Sequence, residues 1–543
     1  MSTDDELIEA RLVPHRALRQ TLGVIGERVV LHCGFVETGH EANPTAATPG
    51  NQGRTGGEGE TYWTASVHIT RSERGSTGRP YRMICSSSRR LCGVSILPLK
   101  HVEQGDVVAA RADLEHVLRR TEFVARPERL NELASMSIDQ AVDNILDFGP
   151  NANPRFPGAI LANRDASWQT FVDAWAWWMG NMVHLPRPMQ EKMTLFWHGH
   201  FTSSLFSGIR SVGHIAQQNQ LYRDLALGNL LTLTQRMALE PAMVVYLSND
   251  LNVKGSPNEN FARELLELFT LGIGNYAESD VEAAARAWTG HGVGPFGDWT
   301  YRFSADRHDS GMKTFFGVTK NWNGPDIIDH VLRDNPTKRR IAARFITNKL
   351  WSFFAYPGGP ATVIDALTDV FVANNLELKP LLKALLTHPE FYSTTARQGL
   401  VRTPTDFLAA IIYHTGIDPM VTDGAWLSEY MGQRLFNPPN VAGWKANAYW
   451  LNTSAISGRA LAARRVTWNL RGDSRFDYLN TLSISDTIDA TAAMFGITSM
   501  SATTRAGLAY AQRAEREAHG ANSWWAPTNL LTMTMLTPEF NMA

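Results

Sequence analysis

The chain has 543 residues, more than one ordinary core accommodates, so it is expected to fold as separate domains or large lobes. Apolar residues make up 44%, enough to build such cores, and the formal charge of −2 lacks the basic excess of a dedicated nucleic-acid binder. Cys33, Cys85 and Cys92 all precede residue 105, which excludes a disulfide framework and a thiolate zinc site from the rest of the chain.

The first twenty residues are charged throughout and lack the apolar core of a secretory signal. No run of about 20 apolar residues follows, so no transmembrane segment is expected. As written, the chain reads as cytoplasmic; a start assigned at the wrong codon would hide an export signal and make it periplasmic or exported. Residues 37–60 are rich in Gly, Pro, Thr and Asn and read as loop or disorder. Short apolar or alternating runs at Val29–Leu31, Tyr62–Ile69 and Gly93–Leu99 read as strands, with an Arg/Ser/Gly-rich stretch at Arg71–Arg90. Residues 1–105 are therefore expected to be a small β-rich or loosely ordered extension, or the product of a misassigned gene start.

From residue 110 apolar residues recur at three- and four-residue steps. Ala110–Thr121 and Ile138–Phe148 read as helices. Trp168–Met182 aligns Trp168, Phe171, Trp175, Trp178 and Met182 in one aromatic stripe, expected to pack in a core rather than line a cofactor. Further helices are expected at Asp280–Ala287, Pro336–Phe354, Leu376–Leu386 and Pro404–Thr415. Strand–helix alternation and phosphate-binding glycine motifs are absent. Residues 106–543 are thus an all-α, multi-helix domain with long structured loops.

Four polar clusters carry groups capable of chemistry. Phe196–Phe201 (FWHGHF) places two imidazoles at i and i+2. At about 100° per residue these point apart on a regular helix, so both reach one ligand only if the helix ends at Gly199. Such an end suits metal binding or proton transfer; otherwise the histidines bond to backbone or face water. Pro257–Thr270 (PNENFARELLELFT) reads as a helix with Phe261, Leu265 and Leu268 buried. Its other face carries the i,i+4 pairs Glu259–Arg263 and Arg263–Glu267. That face is either a solvated ion-paired surface or a cleft in which Glu264 and Glu267 hold a cation or act as acid and base. His308, Asp309 and Lys313 lie in a loop around Ser310–Gly311 with groups for acid–base or phosphate chemistry, a composition shared with ordinary solvated loops. Met431–Trp444 (MGQRLFNPPNVAGW) is a proline-stiffened loop, either cover for helices or a pocket wall.

Taken together and in this order, with Glu240–Leu247 (EPAMVVYL) and Leu536–Phe540 (LTPEF), these segments resemble the bacterial family called domain of unknown function 1800 (DUF1800). The resemblance runs from about Ala110 to the C-terminus; residues 1–105 have no counterpart. It carries over His198, His200, Asn258, Glu259, Arg263, Glu264, Glu267, His308, Asp309 and Lys313, and from the last loop Gln433, Pro438, Pro439, Gly443 and Trp444. Two positions depart from the family pattern: His291 stands where Trp is usual and Phe261 where Tyr is usual. The family implies a helical fold and no assigned reaction. Its genes often lie beside one for a secreted protein similar to alkaline phosphatases and sulfatases, which implies a companion.

Two functions follow as expectations. The first is a metal-dependent enzyme in which His198, His200, Glu264 and Glu267 bind zinc, iron or manganese, with His308, Asp309, Lys313 and Arg263 as catalytic groups. The second is a non-catalytic scaffold that binds the phosphatase/sulfatase-like companion, with the same motifs bracing the fold. Reaction, substrate and oligomeric state are not legible at this level.

Overall fold

The computed structural model describes strands Leu18–Ile25, Arg28–Phe35 and Trp63–Ser66 and, apart from a few isolated positions, residues 108–542. The three strands pair antiparallel in chain order, with Leu22 opposite Leu31 and Leu31 opposite Ala65. The expected loop at residues 37–60, the Arg71–Arg90 stretch and the run at Gly93–Leu99 lie outside the described residues.

The unit Gly105–Ala543 is built from helices, as its 3.6-residue periodicity demands. Their starts are written in the sequence. Ser137 and Gln140 form a reciprocal capping box ahead of Ile138–Ile145, and Thr403 with Asp406 does the same ahead of Pro404–Thr415. Pro336 and Pro404 occupy the first helical turn, where a missing N–H costs nothing. Two antiparallel hairpins interrupt the helices, His291–Val293 with Tyr301–Phe303 and Lys313–Phe315 with Val318–Lys320. At three residues per strand they are too short to give an alternation readable in the sequence.

Two large apolar cores fill the unit. One gathers Leu114, Val142, Met193, Trp197, Phe269, Trp288, Ile346 and Leu382. The other gathers Phe171, Trp178, Leu195, Ile215, Ile411, Leu435, Val466 and Met535. The helix Met189–His200 supplies side chains to both and is buried on every side; only Gly199 among its residues is part-exposed. It therefore buries Gln190, Glu191, Lys192, Thr194, His198 and His200 as well, and each must find a partner inside.

The aromatic stripe packs as expected from Phe171 to Met182, all four of its later members being buried. Trp168 does not join them: it is the first residue after the Ser167 cap and stands 46% exposed.

Candidate functional site

The Met189–His200 helix runs without a break through Gly199, so its two histidines diverge. His198 Nε2 accepts the backbone N–H of Phe436 at 2.9 Å, and its ring sits among Trp178, Phe436 and Trp444. Burial pushes this imidazole down to about 3, keeping it neutral. His200 turns the other way. Its Nε2–H donates to the Phe269 carbonyl at 3.1 Å, and its Nδ1 accepts from Lys349 Nζ at 3.0 Å. Burial first, and then the neighbouring ammonium, hold it well below the usual histidine value. The two bonding patterns require opposite tautomers, and they use the nitrogens that a shared metal ion would need.

Gly443 explains how the proline-rich loop reaches this helix. It has a left-handed φ of +78°, and a Cβ there would lie 2.2 Å from the Gly199 carbonyl oxygen. Thr202 Oγ1 donates to the Val441 carbonyl at 2.6 Å, and Ser204 Oγ to Asn437 Oδ1 at 2.6 Å. Phe436 has a left-handed φ of +61°, held by His198 on its N–H and by the Leu205 N–H on its carbonyl at 2.9 Å. The loop is bolted to the end of the helix, which is the covering role weighed for it above.

The PNEN segment departs from its expected geometry in one informative way. A regular helix, Asn260–Glu264, passes into a wider π-helical stretch, Leu265–Thr270. The extra residue per turn moves the buried stripe from Leu268 to Phe269, and Leu268 is only part-buried. It also redirects the charges. Arg263 keeps Glu259 at 3.0 Å but takes Glu278 at 2.7 Å in place of Glu267, whose carboxylate accepts from the Tyr276 hydroxyl. Glu264 is half-buried, and its carboxyl is pushed up by burial and then by Glu267. The Phe269 and Leu268 carbonyls at the far end of this stretch receive His200 and Lys349, the latter at 3.2 Å.

The His308–Lys313 segment closes on itself. His308 Nδ1–H donates to the Thr289 carbonyl at 2.8 Å. Asp309 accepts from Arg286 Nε at 2.7 Å and from the Gly311 N–H at 2.8 Å; Arg286 first, despite burial, holds this carboxyl below its usual value. Lys313 is buried with its ammonium in a cage of oxygens: the carbonyls of Asp309 at 2.5 Å, Gly311 at 2.9 Å and Trp322 at 3.1 Å, and Asn321 Oδ1 at 3.5 Å. All three of its protons are accounted for, so it braces the loop.

The expected convergence of His198, His200, Glu264, Glu267, His308 and Asp309 is therefore replaced by separate hydrogen-bonded neighbourhoods. Among the described residues no group of three or more His, Cys, Asp or Glu side chains is arranged to hold a metal ion. The donor set of His198 and His200 does not fit a divalent cation, because their accessible lone pairs are taken by Phe436 and Lys349.

Other groups were hidden from the sequence reading. Glu191 and Arg223, both fully buried, pair at 2.8 Å, and Trp178 Nε1 and Asn153 Nδ2 donate to the same carboxylate at 2.7 and 2.8 Å. Lys192 meets Asp406 at 2.5 Å. Glu240 caps Pro241–Tyr246 through Oε2, accepting from the Met243 N–H at 3.1 Å and from Gln218 at 3.0 Å. Its Oε1 is buried without a partner, and burial pushes the carboxyl up to about 8. Lys349 is brought down to about 8 by burial, and its ammonium donates to His200 Nδ1 at 3.0 Å. The available signal for Lys349 was its being the single charge in the Phe345–Phe354 part of its helix.

These features define a class: a helical protein whose polar motif side chains are committed to hydrogen bonds within its own fold. The chain belongs to the DUF1800 family; the family profile, described as "Protein of unknown function (DUF1800)", matches residues 116–542. No curated protein and no solved structure matches the chain. No helix among the described residues is long and apolar enough to cross a membrane.

Proposed function

We propose that the chain is a binding scaffold for a partner protein, the phosphatase/sulfatase-like companion that the family resemblance implies. One observation carries this reading: the motif side chains that were candidates for catalysis are consumed by the protein's own backbone. Lys313 spends its ammonium on loop oxygens, His198 spends its lone pair on Phe436, and Asp309 spends its carboxylate on Arg286 and Gly311. Groups so committed hold shape, and a held shape lowers the entropic cost of association.

The exposed face of the helix Thr453–Asn469 supplies a surface of the right chemistry. It presents Ile456, Leu461 and Trp468 beside Arg464 and Arg465, the mixture of apolar anchors, Trp and Arg that marks interfaces. The test is co-expression of the chain with a phosphatase/sulfatase-like companion of the kind the family resemblance implies, followed by size-exclusion chromatography. The expected result is a stoichiometric complex that a combined Ile456→Ser, Leu461→Ser and Trp468→Ala variant disrupts. Elemental analysis of the purified chain runs beside it. A stoichiometric zinc, iron or manganese content lost in His198→Ala and Glu264→Gln, with no complex formed, overturns the scaffold in favour of the metal enzyme.

A further inference from the structure

A cavity not used above lies where the start of the helix Trp168–His184 meets the turn Pro419–Thr422 and the helix Gly424–Tyr430. It has a volume of about 560 Å³ and is lined by Trp168, Trp175 and Trp426 with Met420, Gln169 and Asp423. Trp168 and Trp426 are 46% and 47% exposed, too much for core residues of their size, while Trp175 is buried and its indole N–H has no hydrogen-bond partner. Gly424 makes the arrangement sterically possible: a Cβ at that position would lie 2.2 Å from the Trp175 ring.

The lining selects among ligand classes. Asp423 disfavours an anion. A sugar needs a directed hydrogen bond for each of several hydroxyls, and the polar side chains here are Asp423 and Gln169, the latter already donating to Asp173 at 2.8 Å. A purely apolar guest makes no use of the half-exposed Asp423 carboxylate. A cation with an apolar skin meets every condition, because indole faces attract positive charge and a quaternary nitrogen asks for no acceptor. Among the described residues that line the cavity none is Lys or Arg. Asp423 is paired with Arg465 at 2.9 Å, but both side chains are about half exposed, and such a pair is held weakly enough to yield. A cation already neighbours one of these rings: the Arg434 guanidinium, paired with Glu429 at 2.9 Å, sits 4.1 Å from the Phe206 ring centre and 5.4 Å from that of Trp168.

We propose that this cavity binds a trimethylammonium group, as carried by choline or by a choline headgroup. The site does not rest on the scaffold reading and does not involve Ile456, Leu461 or Trp468, although Arg465 of that face is the ion-pair partner of Asp423.

Calorimetric titration of the full chain with choline tests it, with the uncharged isostere 3,3-dimethylbutan-1-ol as control. Choline is expected to bind at least about tenfold more tightly than the isostere. Trp426→Ala, a change at an exposed position, is expected to weaken choline about tenfold. Asp423→Asn is expected to weaken it several-fold without disturbing the fold, because Asn tolerates the left-handed φ of +53° at this position. Co-sedimentation with phosphatidylcholine against phosphatidylglycerol vesicles separates the sources: binding to free choline identifies a soluble cation, and binding to phosphatidylcholine vesicles alone identifies a headgroup. Equal affinity for choline and its isostere, unchanged affinity in both variants, or no binding to either source overturns the proposal.

Discussion

Two helices carry dense clusters of acids and bases, and they use them in opposite ways. Met189–His200 lies between two cores, and its Glu191 and Lys192 are buried against Arg223 and Asp406. Asn260–Glu264 lies at the surface, and its Arg263 shares Glu259 and Glu278 with water. Each contains an acid and a base side by side in sequence, Glu191–Lys192 in one and Arg263–Glu264 in the other. The difference comes from what surrounds the helix: a charge with no route to solvent must be paired, whereas a charge at the surface gains little from pairing. The same comparison separates a residue that is indispensable to folding from one that is free to serve binding.

The largest expected effect lies on the buried side. Glu191→Ala strips Arg223 of its partner and leaves the donors of Trp178 and Asn153 unmatched. It is expected to destabilise the fold by about 3–5 kcal/mol in urea unfolding. The double change Glu191→Leu with Arg223→Met is expected to cost clearly less, because it leaves no orphaned charge. A double variant as unstable as the single one would show that the two residues act separately.

Next comes pH. The Glu240 carboxyl is raised from 4.5 to about 8 by burial, so the fold favours its protonated form. Its contribution is complete below about pH 4.5, the unfolded value, and is lost as pH rises through about 8. Unfolding free energies measured at pH 5, 7 and 9 should fall with pH by on the order of a few kcal/mol from this group, and Glu240→Gln should flatten that slope. Buried histidines act at the other end. His116, His198 and His414 are each lowered to about 3, so their contribution is present above pH 6.5 and lost as pH falls toward 3. An acid limb that sets in as pH falls below about 6.5 and steepens toward 3, and an alkaline limb absent from Glu240→Gln, would together locate both groups in the interior.

Lys313 sharpens the comparison between support and function. Lys313→Met keeps the stem and removes three protons from the loop oxygens around it. It is expected to cost about 2–3 kcal/mol, read as a lower melting temperature, while the chain that remains folded binds its partner with unchanged affinity. Lost partner binding in a variant of wild-type stability would move Lys313 from bracing to recognition.

How much of this was legible beforehand follows the same physics. The helices at Pro336–Phe354 and Pro404–Thr415 begin and end where the sequence places them, because Pro and the caps act locally. The aromatic stripe from Phe171 to Met182 was legible because periodicity reports burial. Three things were not. The π-helical stretch at Leu265–Thr270 shifts a stripe by one residue without any local marker, since its register is set by the Phe269 and Leu268 carbonyls meeting His200 and Lys349. The divergence of His198 from His200 depended on whether Gly199 ends its helix, and the chain packs Trp444 against Gly199 rather than breaking there. Glu191, Lys192 and Lys349 carried no motif signal, because their partners Arg223, Asp406 and His200 are distant in sequence, and a pairing across 32 to 214 residues leaves no periodicity to read.

The smallest expected effect completes the contrast with Glu191. Arg263 is bidentate to Glu278 and reaches Glu259, a geometry that looks stronger than the buried pair. Those two carboxylates are 70% and 42% exposed, however, and removing the guanidinium returns both to water rather than to a dry interior. Arg263→Ala is therefore expected to cost only about 0.5–1 kcal/mol, and less in molar salt, where screening has already weakened the pairs. Urea melts at low and high salt measure this directly. A salt-independent loss near that of Glu191→Ala would mean that Arg263 is braced by something other than its exposed acids, and the division between interior pairing and surface pairing would no longer hold for this helix.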